Sequence, residues 1–122
     1  MKGVGIDIVE VKRLKGLWKR FGKSFLDRVY GEEEVTYCLK MKNPELHLAA
    51  RFAAKEAIAK ALGTGMKGIS WKDFVIRKRT SGDPYVKLSL KAKEQLKLRK
   101  ASKVLISLSH TEKCAIAQAV IL

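Results

Sequence analysis

Hydrophobic and polar positions alternate over residues 2–10 (KGVGIDIVE). Val4, Ile6 and Ile8 point one way, and Gly5, Asp7 and Val9 the other. A period of two predicts a strand. From Val11 the period lengthens. Val11, Leu14, Trp18 and Phe21 recur at helical spacing, predicting a helix to about Gly22 with Lys12, Arg13, Lys15, Lys19 and Arg20 on its other faces. Residues 24–30 (SFLDRVY) predict a short helix with Ser24 as its N-cap. After Gly31, EEEVTYCLK predicts another, with its acids in the first turn, where the helix dipole favours them. Asn43-Pro44 punctuates the chain. PELHLAARFAAKEAIAKAL then gives the strongest helical pattern, opened by Pro44 and stopped by Gly63 and Gly65.

The second half turns to β. DFVIRK (73–78) and YVKLSL (85–90) predict two strands around the turn SGDP (81–84). KAKEQLKLRK (91–100) predicts a basic helix. KVLISLSH (103–110) and KCAIAQAVIL (113–122) predict two more strands around a tight turn. With no repeat or linker, residues 1–122 are expected to form one α+β domain, a long central helix on a small, mainly antiparallel sheet.

Composition narrows the partners. The chain has 122 residues, 47% of them hydrophobic, enough for one modest core. Lys and Arg number 26 against 12 Asp and Glu, a net charge of +14. Such an excess calls for a negatively charged partner: nucleic acid, a phosphate-bearing cofactor, an anionic membrane or an acidic protein. The two cysteines, Cys38 and Cys114, form no CxxC pair and no zinc-spaced cluster, and are expected to be free thiols. The first apolar stretch is too short for a signal peptide and carries Asp7 and Glu10. No stretch approaches the ~18 apolar residues of a membrane span. A soluble cytoplasmic protein is expected.

Asp7 stands out among the residues that carry chemistry. A carboxylate among buried strand residues costs several kcal/mol, roughly, unless paired or coordinated. On its own it reads best as a structural salt bridge or a backbone cap. Glu56 shifts the balance. Phe52, Glu56 and Lys60 are spaced by four and stack on one helix face, with Arg51 and Lys55 in a neighbouring row. An ordinary exposed Glu56–Lys60 pair is one explanation. The alanine-rich helix implies close packing, and a charged stripe on such a helix favours function equally. Two carboxylates from different elements, without His or Cys, suit a hard cation such as Mg²⁺ completed by water and substrate phosphates.

Other signals are weaker. GTG (63–65) follows a helix rather than preceding one, so a C-cap and turn explain it better than a phosphate loop does. SHT (109–111) lies where a strand ends. His110 can donate to a phosphate or shuttle a proton, or simply sit in a turn capped by Ser109 and Thr111. His47 shows no partner and reads as structural.

Taken together, GIDIVEV, RFAAKEAIAKALGTG and SLSHTEKCAIAQAVI, in this order and at this length, resemble the holo-acyl carrier protein synthases, the small class of 4'-phosphopantetheinyl transferases. DFVIRKRTSGDPYVKLS is similar to the family's middle strand pair with its Gly-x-Pro turn. The resemblance spans nearly the whole chain. It implies transfer of the phosphopantetheine arm of coenzyme A to a serine of apo acyl carrier protein, with 3',5'-ADP leaving, in support of fatty acid biosynthesis. Asp7 and Glu56 match the family's magnesium ligands. Lys60 is placed to reach the same phosphates, and Glu56 or a metal-bound water is the base for the seryl proton. Ser109, His110 and Thr111 match positions that contact coenzyme A, and Gly63 and Gly65 allow close approach of the nucleotide. Arg13 falls at a position that docks the acidic carrier, with Arg20 and Phe21 near others and Leu17 and Trp18 on the apolar part of that face. The family's small members resemble homotrimers, which implies sites between subunits.

Two other readings compete. A basic nucleic-acid-binding domain rests on the +14 charge. However, aromatics make up only 7%, fall mostly at core-like positions, and accompany no standard motif. A membrane-surface role for residues 11–23 needs a longer helix than this one. Neither nucleic acid nor membrane is therefore expected as a partner.

Overall fold

The computed structural model describes every residue except 64–66. The chain runs β1 (Gly3–Glu10), α1 (Val11–Phe21), α2 (Lys23–Val29), α3 (Glu32–Leu39) and α4 (Pro44–Leu62). A short 3-10 turn (Trp71–Asp73) leads into β2 (Phe74–Lys78), β3 (Pro84–Leu88), α5 (Leu90–Leu98), β4 (Val104–His110) and β5 (Cys114–Ile121). The α+β expectation holds, with the strands divided between two antiparallel sheets. One has the order β1-β5-β4 and the other is the β2–β3 hairpin.

Helix α4 is the spine of the core. Leu48, Ala49, Ala53, Ala54, Ala57 and Ile58 are fully buried, as are Ala115, Ala117 and Ala119 of β5 beneath it. Small side chains on both surfaces let helix and sheet approach closely, which explains the alanine richness. The approach is tightest at β1. A Cβ on Gly3 or Gly5 would run into the carbonyl oxygens of Ala61 and Ala57. Gly63 ends α4 in the left-handed region, at φ 78°, as the pattern predicts. Glu34 of α3 accepts from the Gly31 amide at 2.9 Å, closing that helix's first turn.

Several boundaries differ from the sequence pattern by a residue or two, and three of the differences have a plain cause. Ser24 is not an N-cap: Gly22, at φ 57°, occupies that position, and Ser24 lies exposed inside α2. Asp73 belongs to the 3-10 turn. Its carboxylate accepts from the Ser70 amide and the Ser89 hydroxyl, both at 2.7 Å, so β2 starts at Phe74. Ser89 in turn caps α5 by accepting from the Ala92 amide at 3.0 Å, which draws Leu90 into the helix.

The three-stranded sheet uses one face for α4 and leaves the other open. Val4 (52%), Ile6 (57%), Ile8 (63%), Leu105 (52%) and Ile116 (37%) are exposed on it. The register aligns Ile8 with Ile116, and Val4 with Val120 and Leu105. Both outer strands, β1 and β4, are edges. Among the described residues no helix is long and apolar enough to cross a membrane. Both cysteines are free thiols.

Candidate active site

The glycines that bring β1 against α4 also deliver Asp7. It shares their face of the strand and meets the exposed stripe of the helix, where Phe52 and Glu56 are half-buried and Lys60 is exposed. Lys60 Nζ donates to Asp7 Oδ1 at 2.9 Å and to the Ile6 carbonyl at 3.1 Å. The lysine therefore pairs across to the strand, not with Glu56 four residues earlier. Burial pushes the Glu56 carboxyl above the ordinary range, and the charge of Asp7 adds to the push; Lys60 and Arg13 oppose it. Two carboxylates that repel each other beside a cation are a fit place for a dication. Among the described residues no cluster of three or more His, Cys, Asp or Glu gathers. A metal held here would therefore draw its remaining ligands from substrate and water.

Ser109, His110 and Thr111 lie elsewhere, at the end of the opposite edge strand. Strand β5 separates β4 from β1, a span of about 10 Å at ordinary strand spacing. Ser109 is exposed on the open sheet face. Thr111 Oγ1 accepts from the amides of Lys113 and Cys114 at 3.2 and 3.1 Å, so its hydroxyl holds the β4–β5 turn. His110 turns toward the start of α4, where its ring lies 6.5 Å from that of His47. Gly63 caps the helix, and Gly65 falls outside the described residues.

The sequence pattern missed the neighbours of His110. The His47 ring is 6.2 Å from that of Tyr37. The Arg51 guanidinium stacks 4.3 Å over the same tyrosine, and Lys78 Nζ stands 5.8 Å from it. Arg51 is 4% exposed, and its Nε has no hydrogen-bond partner. It lines a cleft of about 290 Å³ with Glu33, Tyr37, Ile76, Arg77 and Lys78. The available signal was the spacing His47, Arg51, Lys55, a polar row every fourth residue on an alanine helix.

A third feature is an apolar groove of about 270 Å³ between α1, α2 and α4, lined by Leu17, Phe21, Ser24, Phe25, Arg28, Val29, Phe52 and Trp71. Leu17 and Phe21 line it, whereas Trp18 packs against the core outside it. Arg20 lies 5.1 Å over the Phe21 ring, and Arg13 is exposed on the same helix. Phe25, Arg28 and Trp71 were not foreseen.

The chain has relatives among known proteins. Residues 3–118 match the family model of the 4'-phosphopantetheinyl transferase superfamily. The chain is 48% identical to the holo-[acyl-carrier-protein] synthase of Protochlamydia amoebophila, over 97% of this chain and 95% of that one. It is 43% identical to the synthase of Halothermothrix orenii, over 96% and 94%. The crystal structure of the Neisseria meningitidis synthase superposes with a TM-score of 0.94 at 36% identity, covering 100% of this chain and 98% of that one. The Helicobacter pylori synthase in complex with coenzyme A gives 0.85 at 36% identity, over 98% and 99%. The chain belongs to the 4'-phosphopantetheinyl transferase superfamily, within its holo-[acyl-carrier-protein] synthases, and is an enzyme of that type.

Proposed function

We propose that residues 1–122 act as one domain that transfers the 4'-phosphopantetheine group of coenzyme A to a serine of apo acyl carrier protein, releasing adenosine 3',5'-bisphosphate for fatty acid biosynthesis. The observation that carries this reading is the meeting of Asp7, Glu56 and Lys60 at the β1–α4 contact. The names of the relatives and the coenzyme A complex of the Helicobacter pylori protein support it. The free cysteines suit a reducing cytoplasm.

In the reaction the serine oxygen bonds to the phosphorus nearer the pantetheine, and the pyrophosphate bridge breaks. Charge on both phosphates must be balanced as this happens. Asp7 and Glu56 would hold Mg²⁺, which would supply that balance when bound. Lys60 sits beside the same carboxylates and adds a cation for the phosphates. The seryl proton goes to Glu56 or to a water on the metal, both of which lie beside the attacking oxygen in this reading.

His110 and the buried cation Arg51 offer an anion site for the nucleotide end. That site lies beside the start of α4, and Glu56 lies nine residues along it from His47, about 13 Å at helical rise. One coenzyme A reaches both when a second copy brings its His110 end to the Asp7 edge. The open apolar sheet face supplies the contact, and a ring of three copies closes it. The apolar groove with Arg13, Arg20 and Arg28 around it docks the carrier, an acidic protein.

Incubation with coenzyme A, Mg²⁺ and apo acyl carrier protein tests the proposal, read by the carrier's mass. The expected result is a carrier heavier by one phosphopantetheine arm, lost with chelator or with Asp7→Ala. A carrier that stays unmodified at low salt overturns it.

A further inference from the structure

Among the described residues, the cations stacked on Tyr37, Arg51 and Lys78, are in no ion pair. The ion pairs found among the described residues are Lys55–Glu34, Lys60–Asp7, Arg77–Glu33 and Arg79–Asp83. None includes Arg51, although Arg51 is buried. Glu33, the acid that shares its cleft, is held by Arg77 through contacts of 2.7 and 2.9 Å. A buried guanidinium outside any ion pair, whose nearby acids are already held by Arg77 and Lys55, costs free energy that an arriving anion offsets. The groups facing this point come from four elements: His47 and Arg51 from α4, Tyr37 from α3, Lys78 from β2 and His110 from β4.

We propose that His47 joins Arg51 and His110 in binding the phosphomonoester of coenzyme A, and that it takes up one proton as the dianion arrives. This rests on the assignment of the His110 end to coenzyme A. The phosphomonoester is the one group of that molecule that carries nearly two charges at neutral pH, since its second ionisation lies near pH 6. Four positive or protonatable side chains match it better than they match a singly charged diester.

The proton follows from the surroundings of His47. Burial holds its imidazole below the ordinary value, and Arg51, His110 and Lys78 push the same way. All three neighbours are cationic or become so, and no carboxylate offsets them. A bound dianion reverses the field, and an opposite charge within 4–6 Å typically raises such a group by about 1–3 pH units. The proton comes from solvent and the phosphate stays a dianion. Binding with proton uptake weakens as pH rises, up to tenfold per pH unit above the free-state titration.

The test is proton NMR of the histidine C2–H signals across pH 5–9. The chain has only two histidines, so His47→Gln assigns both. Saturating coenzyme A is expected to raise the His47 midpoint by at least one pH unit. 3'-Dephospho-coenzyme A, which lacks the phosphomonoester, is expected to leave it in place. His47→Gln is expected to bind coenzyme A about tenfold more weakly below pH 7, with a flatter pH dependence. A midpoint that stays put while coenzyme A saturates the protein overturns the inference and leaves the coenzyme A assignment standing. Equal affinity for the two cofactors, or no binding of either, overturns both. Because the midpoint is read in the unsubstituted protein, misfolding of a variant does not blunt the test.

Discussion

Lys60 Nζ reaches across 53 positions of sequence to donate to Asp7 Oδ1 at 2.9 Å. The bridge is half in water: the lysine side chain is 55% exposed and the aspartate 16%. A pair so exposed contributes less than about 1 kcal/mol. It holds Asp7 in place without binding it so tightly that a stronger cation cannot displace the lysine. Asp7→Asn should therefore leave chemical denaturation within about 1 kcal/mol of the parent. Turnover of the carrier should fall by about 100-fold or more, because the proposed metal site loses one of its two carboxylate charges. Unfolding of Asp7→Asn at room temperature would show the residue to be structural.

Glu56 is kept at a cost to the fold. Its carboxyl titrates above the ordinary value because of burial and Asp7. A group whose folded-state pKa is raised favours folding below its unfolded pKa, and that contribution is lost as pH rises through the folded value. At neutral pH the ionised Glu56 is thus a liability. In chelator, Glu56→Gln should melt higher than the parent at pH 7, with the gap closing below about pH 4, where both side chains are neutral. The same variant should lose about 100-fold or more of transferase activity. A lower melting point at pH 7 would mean that Glu56 is a stabilising surface charge.

On the proposed reading the apolar groove serves the carrier and not coenzyme A. Leu17 and Phe21 line it, and neither His47 nor His110 does. Leu17→Ala and Phe21→Ala should each raise the KM for the carrier by about tenfold, the scale of a central interface contact, and leave the KM for coenzyme A unchanged. Added salt should raise the carrier KM further by screening Arg13, Arg20 and Arg28. Steady-state kinetics with each substrate varied in turn distinguishes this from a general loss of fold.

Local periodicity made most of the fold legible. The period-two run of β1 and the four-residue spacing of α4 put Asp7, Glu56 and Lys60 on the right elements. Their meeting followed from the resemblance, not from the pattern. What failed was information about what faces what. On β1 both faces are apolar, and alternation does not say which is inside. The glycines and Val9 went inward because only Gly3 and Gly5 let the strand touch α4, and the larger Val4, Ile6 and Ile8 were left out. His47 looked unpartnered because its partners, Tyr37 and His110, come from α3 and β4. Ser24 lost its cap to Gly22, whose positive φ starts the helix earlier. Arg51 and Lys55 look alike in sequence. Among the described residues Arg51 is in no ion pair and Lys55 is paired with Glu34, a difference that only the fold creates.

Lys55 is the pin under the apolar groove. It is 0% exposed, and Nζ donates to Glu34 Oε1 at 2.7 Å, to the Val29 carbonyl at 2.9 Å and to the Trp71 carbonyl at 3.0 Å. Val29 and Trp71 are both groove walls. Glu34 in turn accepts from the amides of Gly31 and Ile76. Lys55→Met should cost about 3–5 kcal/mol by leaving Glu34 charged and buried. Adding Glu34→Leu should recover little, because four backbone groups then lose their partners. Recovery to near the parent in urea would show that the ion pair acts alone.

Whether one active site draws on two copies can be decided by mixing defective variants. Asp7→Ala disables the β1 edge and His110→Ala the β4 edge, each in every copy, so either variant alone should be nearly inactive. In oligomers co-assembled at equal amounts, some interfaces pair the intact His110 end of an Asp7→Ala copy with the intact Asp7 edge of a His110→Ala copy. Random assembly across a head-to-tail interface makes this about one interface in four. Co-expression should therefore restore about a quarter of the parent activity. Ile6→Lys, which places a charge in the middle of the open apolar face, should abolish that recovery and sediment as a monomer. If co-expression restores nothing while both variants assemble, then Asp7 and His110 act within one chain, and the inter-copy site falls with them.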